Sequence, residues 1–396
     1  MFDRTMKRED LNQVIDRKGT GCTKFDGIAD VIGDRTDVLP MWIADMDFAT
    51  PSFVIDAVKK RLEHPVLGYS IPTAEYYAAL QQWFVKKYGF EPKKEELCFT
   101  PGIVSGIFKI LQCLTQEGDG VALCPPVYHP FGQVIRGSRR RMVEAPLILK
   151  NNRFEIDFEA LENALKEAKI LIWCHPHNPG GRVWTKEELE AVAKLADKYG
   201  VYIISDEIHA DLTFKNFKHI PFPSVSPEAR KWAISLMAPS KAFNMPGIIA
   251  SQIYIADEKL RHTIYEYLEY NCLNHANSTT YGAVAAAYNH GEEWLDGVMD
   301  YIEDNIAFVR QYLKDHLPQL GMIEPEASFL IFLDCRGLGM DDKALTDFFI
   351  NKAHLLLNPG TMFGTGGEGF MRLNVGVPRS VLQDAMDRIR KAVNEL

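Results

Sequence analysis

No stretch of this 396-residue chain approaches the roughly 18 consecutive apolar residues of a membrane span. The opening residues, Met1 to Asp10, are charged and lack the apolar centre of a secretion signal. Neither a membrane-embedded nor an exported protein is expected, and the expected location is the cytoplasm. Cysteine is scarce: seven residues, at 22, 98, 113, 124, 174, 272 and 335, with no C-x-x-C pair. The odd count points to reduced thiols, several of them buried. Basic charge is in deficit, 44 Lys and Arg against 53 acids, for a net charge of −9. That disfavours a nucleic-acid partner. The basic run Arg139-Arg140-Arg141 is not extended by aromatic or basic neighbours and reads as a solvated turn. Internal repeats, low-complexity tracts and long linkers are also missing.

What is present is ordinary globular composition, 46% apolar and 24% charged. The length exceeds the roughly 250–300 residues at which a single core stops growing, so two domains are expected. Short apolar runs alternate with helical patterns between about residues 95 and 255. The runs are Leu97–Thr100, Val121–Cys124, Ile170–Cys174, Val201–Ser205, Ala233–Met237 and Ser251–Ile255. Consecutive Val, Ile, Leu and Cys suit strands buried on both faces of a mainly parallel sheet. Thr185 with Glu188 forms a capping box that opens a helix over Lys186–Tyr199, and Gly200 ends it. Ile103–Gln116 reads as a helix ended by Gly118. The alternation is that of a doubly wound α/β layer. Further on, Glu292–His316 reads as one long helix, Ser328–Asp334 and Phe370–Val375 as strands, and Ser380–Asn394 as a final amphipathic helix. The expected division is an N-terminal segment at 1–50, including extended Val38–Ile43, that packs with the small domain; a large domain at 51–289; and a small α+β domain at 290–396.

In open α/β sheets, ligands bind beyond the carboxyl ends of the strands. Five strand ends here are followed in turn by Gly102-Ile103-Val104 opening a helix, by Tyr128-His129, by His175-Pro176-His177-Asn178, by Asp206-Glu207-Ile208-His209 and by Ser240-Lys241. Singly, each has a plain structural reading: a tight turn at Gly102, packing for Tyr128, a turn at Asn178, a cap for Asp206 and a surface lysine for Lys241. His175 and His177 have no third ligand at suitable spacing, so no metal is expected. Together the five ends supply an anion-binding helix start, an aromatic, an amide, a carboxylate and a lysine. A phosphorylated pyridine aldehyde uses all five.

At these residues the chain resembles the fold-type I pyridoxal 5'-phosphate (PLP) enzymes of the aspartate-aminotransferase superfamily, over nearly its whole length. It is most similar to the cystalysin-like branch of cystathionine β-lyases and cysteine desulfhydrases. The segments that carry the likeness are Pro40–Phe48, Val127–Phe131, Ser205–His209 and Pro239–Asn244. The resemblance implies an aspartate-aminotransferase fold and a homodimer with composite active sites. Lys241 would bond to the cofactor aldehyde, Asp206 would pair with the ring nitrogen, and Tyr128 would stack on the ring. Lys241, Asp206 and Tyr128 are thus the implied catalytic set. Asn178 and His209 would lie near the ring hydroxyl. Gly102, Ile103, Val104, Ser240 and, from the other subunit, Tyr69 would hold the phosphate. Arg372 would clamp the α-carboxylate of an amino-acid substrate, with Asn178, Ile43 and Ala44 as further substrate contacts. Three positions depart from the pattern: Ile249 where many members have a phosphate-binding arginine, Ala238 where serine is common, and His129 in place of a tyrosine. The implied reaction is α,β-elimination of cystathionine or cysteine to pyruvate, ammonia and a thiol. An aminotransferase on the same scaffold is the alternative, since it needs the same lysine, aspartate and arginine. A purely regulatory role is disfavoured by their presence.

Overall fold

The computed structural model describes residues 8–396; the start of the charged opening, residues 1–7, lies outside them. At its centre is a seven-stranded sheet built from β1 (Leu97–Thr100), β2 (Gly120–Leu123), β3 (Arg141–Glu144), β4 (Ile170–Cys174), β5 (Tyr202–Asp206), β6 (Ala233–Met237) and β7 (Ser251–Tyr254), in the order β1-β7-β6-β5-β4-β2-β3. All run parallel except β7, which pairs antiparallel with both β1 and β6. The start of β7 therefore lies at the same edge as the carboxyl ends of its neighbours, with Ser251 opposite Thr100. β4 and β6 are buried along their whole length, which is why they read as unbroken apolar runs.

Helices cover both faces. α1 (Ile103–Leu114) buries Ile103, Ile107, Ile110 and Leu111 against one face. α2 (Pro130–Gly137) starts on a proline, whose fixed φ suits a first helical position, and buries only Phe131 and Ile135. α3 (Lys186–Tyr199) covers the other face with Leu189, Val192, Ala193 and Ala196. Its capping box is formed: Thr185 Oγ1 accepts from the Glu188 amide at 3.2 Å, and Glu188 Oε2 accepts from the Thr185 amide at 2.7 Å.

Two readings of the sequence are corrected here. Arg139 is in a turn and Arg140 follows it, but Arg141 begins the edge strand β3, in register with Gly120. Helix α1 stops at Leu114, not Gln116, because Thr115 leaves the helix at φ −135° and donates its hydroxyl to Leu111 O at 2.5 Å. Gly118 is in the turn beyond.

A second, antiparallel sheet contains β8 (Gly321–Ile323), β9 (Leu330–Asp334), β10 (Asn358–Pro359) and β11 (Phe370–Asn374), in the order β8-β9-β11-β10. The 25-residue helix Glu292–His316 and the terminal helix Arg379–Asn394 pack in the same core as this sheet. Leu39–Pro40 pairs with Leu355–Leu356, and Met41 O accepts from the Asn374 amide at 3.0 Å. That pairing carries the segment 41–48 across the carboxyl edge of the large sheet. No described helix is long and apolar enough to cross a membrane, and all seven cysteines are free thiols.

Candidate active site

A cavity of about 260 Å³ opens at the carboxyl edge of the large sheet. Gly102 precedes α1 at φ 102° and ψ 153°, a conformation open to glycine alone. This lets the chain turn from β1 directly into the helix. The first amides of a helix have no partner inside it; here they are those of Ile103, Val104 and Ser105, and all three residues line the cavity. A helix start of this kind binds an anionic group.

Tyr128, Asn178, Asp206, His209, Ser240, Lys241 and Ala44 line the same cavity. Asp206 ends β5 and accepts from the Ile208 amide at 3.0 Å. Burial pushes its carboxyl up to about 7. Lys241 Nζ donates to Ala44 O. Its pKa is pushed down to about 8, first by burial and then by the positive charge of Arg372, against the opposing pull of Asp45 and Asp206. An amine so placed can hold or release a proton near neutrality. Burial holds His209 near 3, as a neutral imidazole, and its Nδ1 is buried without a partner.

Arg372, on β11, is buried. Its Nη1 donates to Asn178 Oδ1 at 3.2 Å, and its Nη2 donates to Asn358 Oδ1 at 2.8 Å and Trp42 O at 3.0 Å. Its Nε is buried without a partner. A buried guanidinium held only by neutral oxygens and keeping an unused donor suits a carboxylate. An adjoining cavity of about 680 Å³ is lined by Ile43, Asp45, Met46 and Asn244 and shares Ala44 and Lys241 with the first.

Of the residues singled out from the sequence, Gly102, Ile103, Val104, Tyr128, Asn178, Asp206, His209, Ser240, Lys241 and Ala44 meet around one cavity. Ile43 lies in the adjoining one, and Arg372 touches the first through Asn178. Tyr69 does not join them within one chain, where it is fully exposed. Ile249 lines the cavity but is half exposed, Ala238 is buried in the core beside it, and His129 lines a neighbouring cavity. His175 and His177 are in separate buried surroundings: His175 Nε2 meets Ile220 O at 3.0 Å, and His177 Nδ1 accepts from the Gly180 amide at 3.2 Å.

Several supporting residues escaped the sequence reading. Asn244 fixes the segment 46–48: its Oδ1 accepts from the Met46 amide, and its Nδ2 donates to Met46 O and Phe48 O, at 3.0, 3.0 and 2.7 Å. Asn374 Nδ2 donates to Ile43 O and Asp45 O, both at 2.7 Å. Arg17 bridges Asp45 and Asp47, while fully buried Lys24 reaches Asp47 at 2.8 Å. Asn244 and Asn374 each stand a few residues from Lys241 or Arg372, which is a usable signal. Arg17, Lys24 and Asn358 carry none, because only the fold brings them here.

These residues fit PLP. The helix start and Ser240 would hold the phosphate, Asp206 the ring nitrogen, Asn178 and His209 the ring hydroxyl, and Tyr128 the ring face. Lys241 would supply the amine for the aldehyde.

The family model for aminotransferase class I and II matches residues 36–389. The chain is 39% identical to cystathionine β-lyase PatB of Bacillus subtilis, over 96% of this chain and 98% of that one. It is 34% identical to protein MalY of Escherichia coli, over 97% and 98%. The crystal structure of cystalysin from Treponema denticola, which contains PLP, superposes with a TM-score of 0.94 at 33% identity, over 98% of this chain and 99% of that one. With the family model matching nearly from end to end, and such identity to full-length relatives, the chain belongs to the class I and II aminotransferase family.

Proposed function

We infer that the protein is a PLP-dependent carbon–sulfur lyase that eliminates the β-sulfur of cystathionine or cysteine, giving pyruvate, ammonia and a thiol. The relatives named cystathionine β-lyase and the C–S lyase structures support this reading. The observation that carries it is the buried Lys241 amine, with its pKa lowered to about 8, in one cavity with Asp206 and beside Arg372. Bound PLP supplies an electron sink for the pair left when the substrate Cα loses its proton. Arg372, with its free Nε, holds the α-carboxylate and so fixes which bonds at Cα and Cβ face the sink. Lys241 Nζ takes the Cα proton and returns it to the departing sulfur. Asp206, as a carboxylate, keeps positive charge on the ring nitrogen, and in its buried position that pairing replaces lost hydration. Tyr128 covers the ring face.

The working unit in this reading is a cytoplasmic homodimer. One chain leaves Val66, Leu67, Tyr69 and Ile71 exposed together, an apolar run suited to a partner subunit, and the Tyr69 hydroxyl would reach the phosphate held by the other chain. The large cofactor-binding unit is taken as residues 51–289 and the small one as 290–396, with residues 1–50 packed on the latter. The test is stoichiometry: with L-cystathionine, pyruvate, ammonia and homocysteine should form in equal amounts. Failure to release pyruvate from cystathionine and from cysteine alike would refute the reading.

A further inference from the structure

Beside the cofactor cavity is a second one, of about 230 Å³, which the roles above leave unused. The two share Tyr128. The second is walled by Met142, Met362 and Phe363 and carries Arg136, Glu144 and His129. Its inner end lies against the substrate clamp: the Arg372 guanidinium is 4.9 Å from the centre of the Phe363 ring, which is itself 6.0 Å from the His129 ring. A substrate held by its α-carboxylate at Arg372 therefore has this cavity next to it.

The polar groups at the outer end are disposed as opposite charges. Arg136 is on the exposed face of α2, and its side chain makes no hydrogen bond or ion pair among the described residues. Its neighbours in sequence are all engaged: Arg139 with Glu117, Arg140 with Thr115, Arg141 with Glu167. Glu144, at the end of β3, is oriented by the Thr365 hydroxyl, which donates to its Oε2 at 2.9 Å. Gln133 also lines the cavity, whose remaining wall is apolar, with Met142, Met362 and Phe363 suited to methylenes and a thioether sulfur. His129 Nδ1 is buried there without a partner.

We propose that this second cavity holds the departing arm of the substrate, with Arg136 taking a distal carboxylate, Glu144 a distal ammonium, and Met142, Met362 and Phe363 covering the thioether methylenes. The proposal rests on the lyase reading and narrows it. The favoured substrates are thioethers whose departing thiol is itself an amino acid, above cysteine and S-alkyl cysteines.

The test compares L-cystathionine with S-methyl-L-cysteine, which lacks the distal charges, on PLP-loaded wild type and Arg136→Gln. The substitution is on an exposed helix face and leaves the fold intact. Loss of one exposed charge-assisted hydrogen bond should lower kcat/KM for cystathionine about tenfold and leave S-methylcysteine within about twofold. Equal losses on both substrates, or none on either, would overturn the subsite. If wild type releases pyruvate from neither substrate, the lyase reading is what fails. Equilibrium binding of cystathionine to Lys241→Ala protein then decides the subsite alone. Adding Arg136→Gln should weaken that binding about tenfold, and unchanged affinity would overturn the proposal.

Discussion

Burial sets the charge of each reacting group. Lys241 is held at about 8, Asp206 at about 7 and Arg372 at about 10, each displaced toward its neutral form by loss of water. A lysine so displaced is both a nucleophile for the cofactor aldehyde and a base near neutrality. Borohydride reduction of the PLP-loaded protein, followed by digestion, should therefore place the cofactor on the peptide containing Pro239-Ser240-Lys241. Label on another lysine would refute the assignment. Arg372 presents a different case. Its two terminal nitrogens are already committed to Asn178, Asn358 and Trp42, so it is rigid before substrate arrives. Arg372→Ala should lower kcat/KM by roughly 10–100-fold on every amino-acid substrate tried, as expected for a buried charged hydrogen bond of about 1.5–3 kcal/mol. Arg372→Lys should not restore it, because an ammonium cannot reproduce the fork. Full activity in either variant would show that the carboxylate is held elsewhere.

Among elements, the sequence was most legible in strands buried along most or all of their length. β1, β4 and β6 begin and end where their apolar runs do. β3 was not legible: it is an edge strand with Arg141 and Glu144 exposed at its ends, and only its pairing with β2 makes it a strand. The antiparallel sense of β7 was equally hidden, since strand direction leaves no mark on composition. The five loops that line the cavity could be found because each follows a recognisable strand. The latch that holds the segment 46–48 was missed: Asn244 stands three residues from Lys241, but the residues it holds come from a distant part of the chain. Asn244 sits at φ 45°, a left-handed conformation that asparagine tolerates, and from there makes three hydrogen bonds to that segment. Asn244→Ala should destabilise the protein by about 1–3 kcal/mol through unpaired backbone groups. It should also raise KM, since residues 46–48 continue the stretch that carries Ala44 against Lys241. Urea unfolding and steady-state kinetics check both; an unchanged midpoint would show that the latch carries no load.

Taken whole, the molecule joins two sheets at one edge and should be sensitive to acid. Burial holds His129 near 4 and His175, His177, His209 and His219 near 3, below the ordinary 6.5. Between those values the unfolded chain binds protons that the native chain refuses, so stability rises with pH there and is lost as pH falls. Asp206, Glu207 and Asp211 are raised by burial and act in the opposite sense, but the five histidines outnumber them. The urea midpoint of the cofactor-free protein should therefore be lower at about pH 5 than at about pH 7. An equal or higher midpoint at the lower pH would mean that these histidines are charged in the native state. At this scale the sequence pointed to the fold and the family. It left open how one scaffold chooses between two reactions, because Lys241, Asp206 and Arg372 would serve both. The deciding measurement is the partition in one vessel: L-cystathionine and a 2-oxo acid acceptor supplied together to the PLP-loaded enzyme, with pyruvate release and amino transfer followed at once. A tenfold preference corresponds to only about 1.4 kcal/mol between the two barriers. Pyruvate and homocysteine should form at least about tenfold faster than the acceptor gains an amino group. Amino transfer outpacing pyruvate release would contradict the lyase account and leave the aminotransferase in its place.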